Sequence, residues 1–273
     1  MVQTIAQSTA VDASVLASIV RPIVQAGRED AEAQRRMPAA TAEALRRAGA
    51  FRISTPRALG GFESPLVVQM EVYEALGRID GPAAWNIWNG NGGFASALLD
   101  TRAVDEIWGD GPDVIVANSA RVGGTARLDG EHLVLSGRWD IVSAIDISDW
   151  VVVFALVLDG SAPADHPDVR ACFLPTAQVE VLDTWRTSGM RGTGSNSVVI
   201  HDVRIPRHRA VSPFAPARID GWVYRIPAFT LASSGSAPIV VGIAQAALDA
   251  VVALAPAKPT DNGQVLSLRP HAH

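Results

Sequence analysis

Polar donors crowd into one short stretch of the chain, Ser188 to Pro206, which reads Ser-Gly-Met-Arg-Gly-Thr-Gly-Ser-Asn-Ser-Val-Val-Ile-His-Asp-Val-Arg-Ile-Pro. Gly189, Gly192 and Gly194 allow turns that side-chained residues resist, and Arg191, Thr193, Ser195 and Asn196 bring hydrogen-bonding groups to the same few positions. Such a loop suits a polar ligand. A second stretch, Leu135 to Ala144, ends a strand at Gly137, offers a planar ring at Trp139 and places a hydroxyl at Ser143. Aromatic surface beside a donor is what a flat heteroaromatic cofactor needs. The same residues equally fit a core tryptophan followed by a turn serine.

Other chemistries lack their residues. The chain has no phosphate-loop lysine motif, nucleophile elbow or His-Glu-x-x-His pair. Asn89-Gly-Asn-Gly-Gly93 looks like a phosphate loop, but no strand precedes it and it reads as a turn between helices. Of the histidines only His271 and His273 are closely spaced, and they read as tail residues rather than metal ligands. Cys172 is the single cysteine and lies in an apolar strand pattern, so it is expected to be a buried small hydrophobe.

The elements that must position these residues change period along the chain. Helical spacing marks Val15 to Val24, with Pro22 expected to kink or restart the helix; Pro38 to Ala48; and Ser64 to Gly77, where Gly77 is expected to end it. Further helices are expected around Ala83 to Leu99 and Thr101 to Trp108. After Pro112 short β-rich runs follow, at Val114 to Ala117, His132 to Leu135, Trp150 to Leu158, Val169 to Leu174 and Ser197 to Ile205. They predict a small antiparallel barrel or sandwich. From Pro238 the helical period returns with little polar surface. The expected organisation is α+β: a helical domain over 1–112, a β-domain over 113–212 and an incomplete helical domain over 213–273.

Composition narrows the partners. With 273 residues, 48% of them hydrophobic, the chain can bury a sizeable core. The net charge of −5 and scattered Lys and Arg give no footprint for nucleic acid or an anionic membrane. Met1 to Ala10 lacks the basic and apolar regions of a signal peptide, so a cytoplasmic protein is expected. Ala237 to Ala255 is apolar, but Pro238, Gln245 and Asp249 argue against a membrane span.

Taken together, Gly137-Arg-Trp139 with Ser143, Asp149-Trp150, Gly189-Met-Arg-Gly-Thr-Gly-Ser195 and Val203-Arg-Ile-Pro206 resemble the acyl-CoA dehydrogenase superfamily. Leu45-Arg-Arg-Ala-Gly49, Gly60-Gly61, Glu74-Ala-Leu-Gly77, Ala84-Trp85-Asn86 and Gly242-Ile-Ala-Gln-Ala-Ala-Leu248 follow in the family's order, so the resemblance covers nearly the whole chain. Within that superfamily the chain looks most like the monooxygenases that take reduced flavin from a separate reductase. The resemblance implies FAD or FMN at the domain junction, a small aromatic or apolar substrate, and a homo-oligomer, tetramer or dimer.

It also implies residue roles. Asn118 and Ser119 would line the flavin ring, Trp139 would wall it, and Ser143 would donate near N5, a contact that helps the flavin–oxygen adduct persist. Arg191, Thr193 and Ser195 would shape the cofactor's surroundings, and Trp85 and Asn91 would meet the substrate. Departures are Ile141, where these enzymes often carry Phe; Val122, where they often carry Pro; and Asn91, in the region where many carry a histidine. Relatives continue beyond the length of this chain, and the dehydrogenase glutamate and the monooxygenase C-terminal histidine lie there. No general base is therefore assigned. An acyl-CoA dehydrogenase and a non-catalytic flavin-binding or assembly remnant remain the alternative readings.

Overall fold

A computed structural model describes residues 12–158, 167–259 and 265. The expectations for Met1 to Ala10 and for His271 and His273 fall outside them. Helix α1 (Ala13–Gln34) starts where the Asp12 carboxylate accepts from the amides of Ser14 and Val15. It continues through Pro22 as one helix, without the restart that was one of the two expectations there. Pro22 and Ser18 face solvent, so the carbonyl that loses its helical partner there can turn to water. Helix α2 (Ala39–Arg47) follows Pro38.

Helix α3 (Leu66–Ile79) likewise passes the expected stop at Gly77. That glycine is instead a point of close approach to α7 (Ser236–Leu254): a Cβ on Gly77 would stand 2.5 Å from the Ile239 carbonyl oxygen, and one on Gly242 only 2.1 Å from that of Glu74. Helix α4 (Gly81–Gly90) is capped by Asp80, whose carboxylate accepts from the Ala83 amide. The expected helix from Ala83 to Leu99 breaks after Gly90, continuing as a 3-10 turn over Gly92–Ala97 before α5 (Thr101–Trp108). Leu16, Leu45, Tyr73, Ile87 and Ile239 from these helices, with Phe51 from the turn after α2, gather into one buried core.

The strands are β1 (Val116–Asp129), β2 (His132–Val142), β3 (Trp150–Val157), β4 (Val169–Pro175), β5 (Glu180–Leu182), β6 (Asn196–Pro206) and β7 (Ala210–Val211). They form one seven-stranded sheet in the order β5-β6-β2-β1-β3-β4-β7. Two expectations are corrected. The sheet is mixed, because β1 runs parallel to β3, and among the described residues no pairing joins the edge strands β5 and β7 into a barrel. The connection through Ile145–Ile147 carries the chain across to the far side of β1, which a simple hairpin meander would not do. One face of the sheet closes on a core of its own residues, including Leu135, Trp139, Val153, Cys172 and Ile200. Cys172 lies in that core, where burial pushes its thiol up to about 12. The other face packs Val116, Ala171 and Phe173 against Ile107 and Trp108 of α5.

An ion cluster ties α5 to the turn between β6 and β7. Glu106 accepts from Arg209 and His208, the latter at 3.0 Å. Partial burial resists its ionisation, but the contacts with Arg209 and His208 outweigh that and hold the carboxyl at about 2.

After a short helix α6 (Ala228–Ser233), α7 rests on α3 through Ile239 and Gly242. Asp249 takes Arg78 at 2.6 Å and the Gln245 amide at 2.9 Å. Val240, Val241, Leu248, Val251 and Val252 stay exposed. Ala228–Leu254 is long and apolar enough to cross a membrane by length and composition.

Candidate functional site

A cavity of about 370 Å³ opens where α3, α4 and α6 meet the sheet, a size suited to a small planar ligand. Its walls are mostly apolar, with Trp88, Phe94, Phe154 and Phe173 among them. Trp85 and Trp88 meet edge to face, their ring centroids 4.7 Å apart at 82°. Among the described residues its lining holds no carboxylate, imidazole, amine or guanidinium group.

Ser143 sits in the floor of this cavity and is 4% exposed. The backbone that presents it is unusual: Ile141 and Ala144, on either side, take left-handed φ angles of +60° and +65°. Non-glycine residues adopt such angles at a cost of about 1–3 kcal/mol each, so the surroundings must enforce them. A β-bridge between Ser143 and Asn118, and a bond from the Ala144 amide to the Thr193 carbonyl, supply that enforcement. Ile141 itself projects as a half-exposed part of the lining.

The Ser143 hydroxyl is one member of a buried chain of hydrogen bonds. The Trp85 indole N–H donates to its Oγ at 3.0 Å, and that Oγ lies 2.9 Å from Ser195 Oγ. Ser195 Oγ lies 2.8 Å from Thr193 Oγ1, which donates to the Met190 carbonyl at 2.9 Å. Thr193 and Ser195 are only 2% and 3% exposed and do not line the cavity.

Asn118 and Ser119 both reach the lining from β1. The Asn118 amide donates to the Asn89 carbonyl at 3.1 Å, and the Ser119 hydroxyl donates to the Asp140 carbonyl at 2.9 Å. The Asp140 carboxyl is held below its ordinary value, first by the Ser197 hydroxyl and then by Arg138. Asp146, under the 191–195 loop, is shifted upward by burial, which the nearby Arg36 and the Asn196 amide only partly offset.

Besides Thr193 and Ser195, three further expected site residues are placed otherwise. Trp139 does not line the cavity. It is fully buried in the sheet's core, its indole N–H donates to the Phe154 carbonyl at 2.8 Å, and its ring lies on Gly124, where a Cβ would come within 2.5 Å of it. Arg191 turns away to α1, where its Nε meets the Glu32 carbonyl at 3.1 Å and carboxylate at 2.9 Å. Asn91 touches the cavity, but its polar atoms are committed: the amide nitrogen donates to Ala50 and Ile87, and the oxygen accepts from the Ile53 amide. Of the loop's three glycines only Gly194 is left-handed, while Met190 takes that conformation beside Gly189.

Tyr73 was not legible as a site residue, because its helical spacing marks it as core. It is buried yet lines the cavity, and its hydroxyl makes no hydrogen bond among the described residues. Burial shifts its phenol upward, so it stays neutral and keeps a proton to donate.

No protein-family model matches the chain. Relatives and solved structures do. The oxygenase subunit HsaA of a flavin-dependent monooxygenase from Mycobacterium tuberculosis (strain CDC 1551 / Oshkosh) is 32% identical over 251 residues, covering 88% of this chain and 63% of that protein. An indole-3-acetate monooxygenase from Acinetobacter baumannii is 28% identical, covering 94% and 65% respectively. The structure of XiaF from Streptomyces sp. in complex with FADH2 and glycerol superposes with a TM-score of 0.83 at 28% identity, over 93% of this chain and 66% of that one. The fold is thus that of the acyl-CoA dehydrogenase superfamily. Within it, the chain is a homologue of the oxygenase components of flavin-dependent monooxygenases. It spans about two thirds or slightly less of the length of these relatives.

Proposed function

We propose that the cavity receives the ring system of a reduced flavin together with a small aromatic or apolar substrate, and that the chain forms part of a monooxygenase supplied with reduced flavin by a separate reductase. The observation that carries this reading is Ser143: a buried hydroxyl, fixed by Trp85 and Ser195, in the floor of a mostly apolar cavity whose described lining carries no charged group. That hydroxyl fits the N5 edge of an isoalloxazine. A bound reduced flavin supplies the electrons that activate dioxygen, one atom of which enters the substrate while the other leaves as water.

The chain's own residues do the rest. Ser143 would hydrogen-bond at N5, and Asn118 and Ser119 would support the ring from β1. The aromatic walls exclude water, which suppresses wasteful loss of hydrogen peroxide. Tyr73 would orient a polar group of the substrate through its neutral phenol. The 3-10 turn after Asn91 fixes the wall beside it, with Asn91 acting on the backbone rather than on substrate.

An acyl-CoA dehydrogenase reading needs a carboxylate beside the substrate's α-carbon. What favours the monooxygenase is that the similar proteins HsaA and indole-3-acetate monooxygenase are named as such. The exposed apolar side of α7 is consistent with a homo-oligomer, tetramer or dimer.

The test is anaerobic titration of the purified protein with reduced FAD and reduced FMN, followed by turnover with a flavin reductase, NADH, oxygen and a panel of phenols and indoles. Saturable binding and substrate-dependent hydroxylated product are expected. Bleaching of a tightly bound flavin by an acyl-CoA would support the dehydrogenase instead, and failure to bind either flavin would refute both enzyme readings.

A further inference from the structure

The hydroxyl chain behind Ser143 has a direction. Thr193 spends its one hydroxyl proton on the Met190 carbonyl. In the contact between Thr193 and Ser195, Ser195 must therefore donate, and in the contact between Ser195 and Ser143, Ser143 must donate. One proton per hydroxyl allows all three bonds at once in this sense only. The Trp85 indole N–H fills one lone pair of Ser143 Oγ. What remains toward the cavity is a single lone pair: Ser143 is wired as an acceptor.

The reverse sense is available at the price of rotating three hydroxyls. Thr193 then donates to Ser195, Ser195 to Ser143, and Ser143 into the cavity. The Met190 carbonyl is not orphaned by this reversal, because the Trp185 indole N–H at 3.0 Å and the Thr193 amide at 3.2 Å also donate to it. No heavy atom moves and no covalent bond changes. The two senses present opposite hydrogen-bonding characters to one ligand atom.

A flavin distinguishes them. In the reduced form N5 carries a hydrogen and donates; in the oxidised form N5 is a bare acceptor. We propose that Thr193 and Ser195 are positioning residues that draw the Ser143 proton inward, so that Ser143 accepts from N5–H and the site selects reduced over oxidised flavin. This inference rests on the flavin reading of the cavity. It refines the expectation that Ser143 donates at N5, assigning that donor character to the reversed chain alone.

Removing either inner hydroxyl should leave a buried proton without an acceptor whenever reduced flavin is bound. In Thr193→Val that proton belongs to Ser195, and in Ser195→Ala to Ser143. With oxidised flavin each variant can still direct Ser143 outward with its proton bonded. The ratio of reduced-flavin to oxidised-flavin dissociation constants should therefore rise roughly tenfold in both. For a two-electron couple, a tenfold shift makes the bound flavin's potential about 30 mV more negative. Thr193→Ser keeps the hydroxyl and should restore the wild-type ratio.

The experiment measures both dissociation constants anaerobically, by absorbance and fluorescence titration with FMN and FAD, for wild type and the three variants. Circular dichroism checks folding. A rise in the ratio in Thr193→Val and Ser195→Ala, absent from Thr193→Ser, supports the relay. Equal loss of affinity for both redox forms, an unchanged or lower ratio, or a Thr193→Ser variant that behaves like Thr193→Val overturns it. If the wild type binds neither redox form, the flavin reading itself fails, an outcome distinct from a wild type that binds both while its variants show no change in ratio.

Discussion

The two sides of the cavity are built by different means. On the sheet side, Ser143, Asn118 and Ser119 are each held by named hydrogen bonds, and the left-handed residues Ile141 and Ala144 are kept in place by their surroundings. On the α6–α7 side, the wall consists of Ala228, Phe229, Leu231, Ala232, Ser233 and Ser236, and the helix behind it is held mainly by one backbone-to-backbone seam against α3. Geometry at the sheet wall is fixed by directional bonds, whereas the helical wall depends on how closely two backbones can approach. The first suits recognition of a ring with defined donors and acceptors. The second suits an apolar ligand, for which contact area matters more than direction.

Breaking the seam should have the largest effect. Gly242→Val places side-chain atoms on the Glu74 carbonyl, and we expect a loss of about 3 kcal/mol in denaturant unfolding, with aggregation as α7 lifts from α3. An equally stable variant would mean that α7 contributes nothing to the helical wall.

The anchor of α5 comes next. Glu106→Gln should cost about 2 kcal/mol by losing the charge-assisted bonds from Arg209 and His208. Its carboxyl lies at about 2 in the folded protein against an ordinary 4.5, so its contribution is fully present above pH 4.5 and is lost as pH falls toward 2. The acid limb of the wild-type stability curve should therefore be steeper than that of the variant between those values; parallel limbs would remove Glu106 from the account.

Trp139 sharpens the contrast within a single strand. Trp139→Phe leaves the Phe154 carbonyl without its indole donor and should cost about 1–2 kcal/mol in stability while leaving flavin affinity within twofold. A large loss of affinity at unchanged stability would return Trp139 to the cavity wall. The smallest effect belongs to Arg191→Ala, whose partly exposed pair with Glu32 should be worth at most about 0.5 kcal/mol and should leave flavin binding unchanged.

Trp139 also marks the limit of what the sequence conveys. The helices and the runs of β3, β4 and β6 were legible from their apolar periods, whereas β1 and β2 extend well past the expected Val114 to Ala117 and His132 to Leu135, and β5 and β7 gave no such run. Ser143 was picked out because it follows a strand and a glycine. Which face Trp139 takes was not, since the β2–β6 register shifts between Leu135 and Gly137 and again between Trp139 and Val142. Each shift spoils the count of alternate residues, so parity along β2 cannot be read from its spacing. Pro22 and Gly77 failed as helix breakers for a related reason. Their roles depend on which side of the helix meets water or another backbone, and only tertiary packing decides that. Arg191 and Asn91 were polar residues in a promising loop and turn, but the partners that claim them come from α1 and from 50–53, far away in sequence.

The central claim is that Ser143, held by Trp85 and Ser195, is the polar contact for a flavin in this cavity. Its most direct test is the dissociation constant of anaerobically reduced flavin for wild type, Ser143→Ala and Arg191→Ala in the same buffer. We predict saturable binding by the wild type, roughly tenfold weaker binding by Ser143→Ala and no change in Arg191→Ala. Equal affinity in the wild type and Ser143→Ala, or a loss confined to Arg191→Ala, would contradict the account.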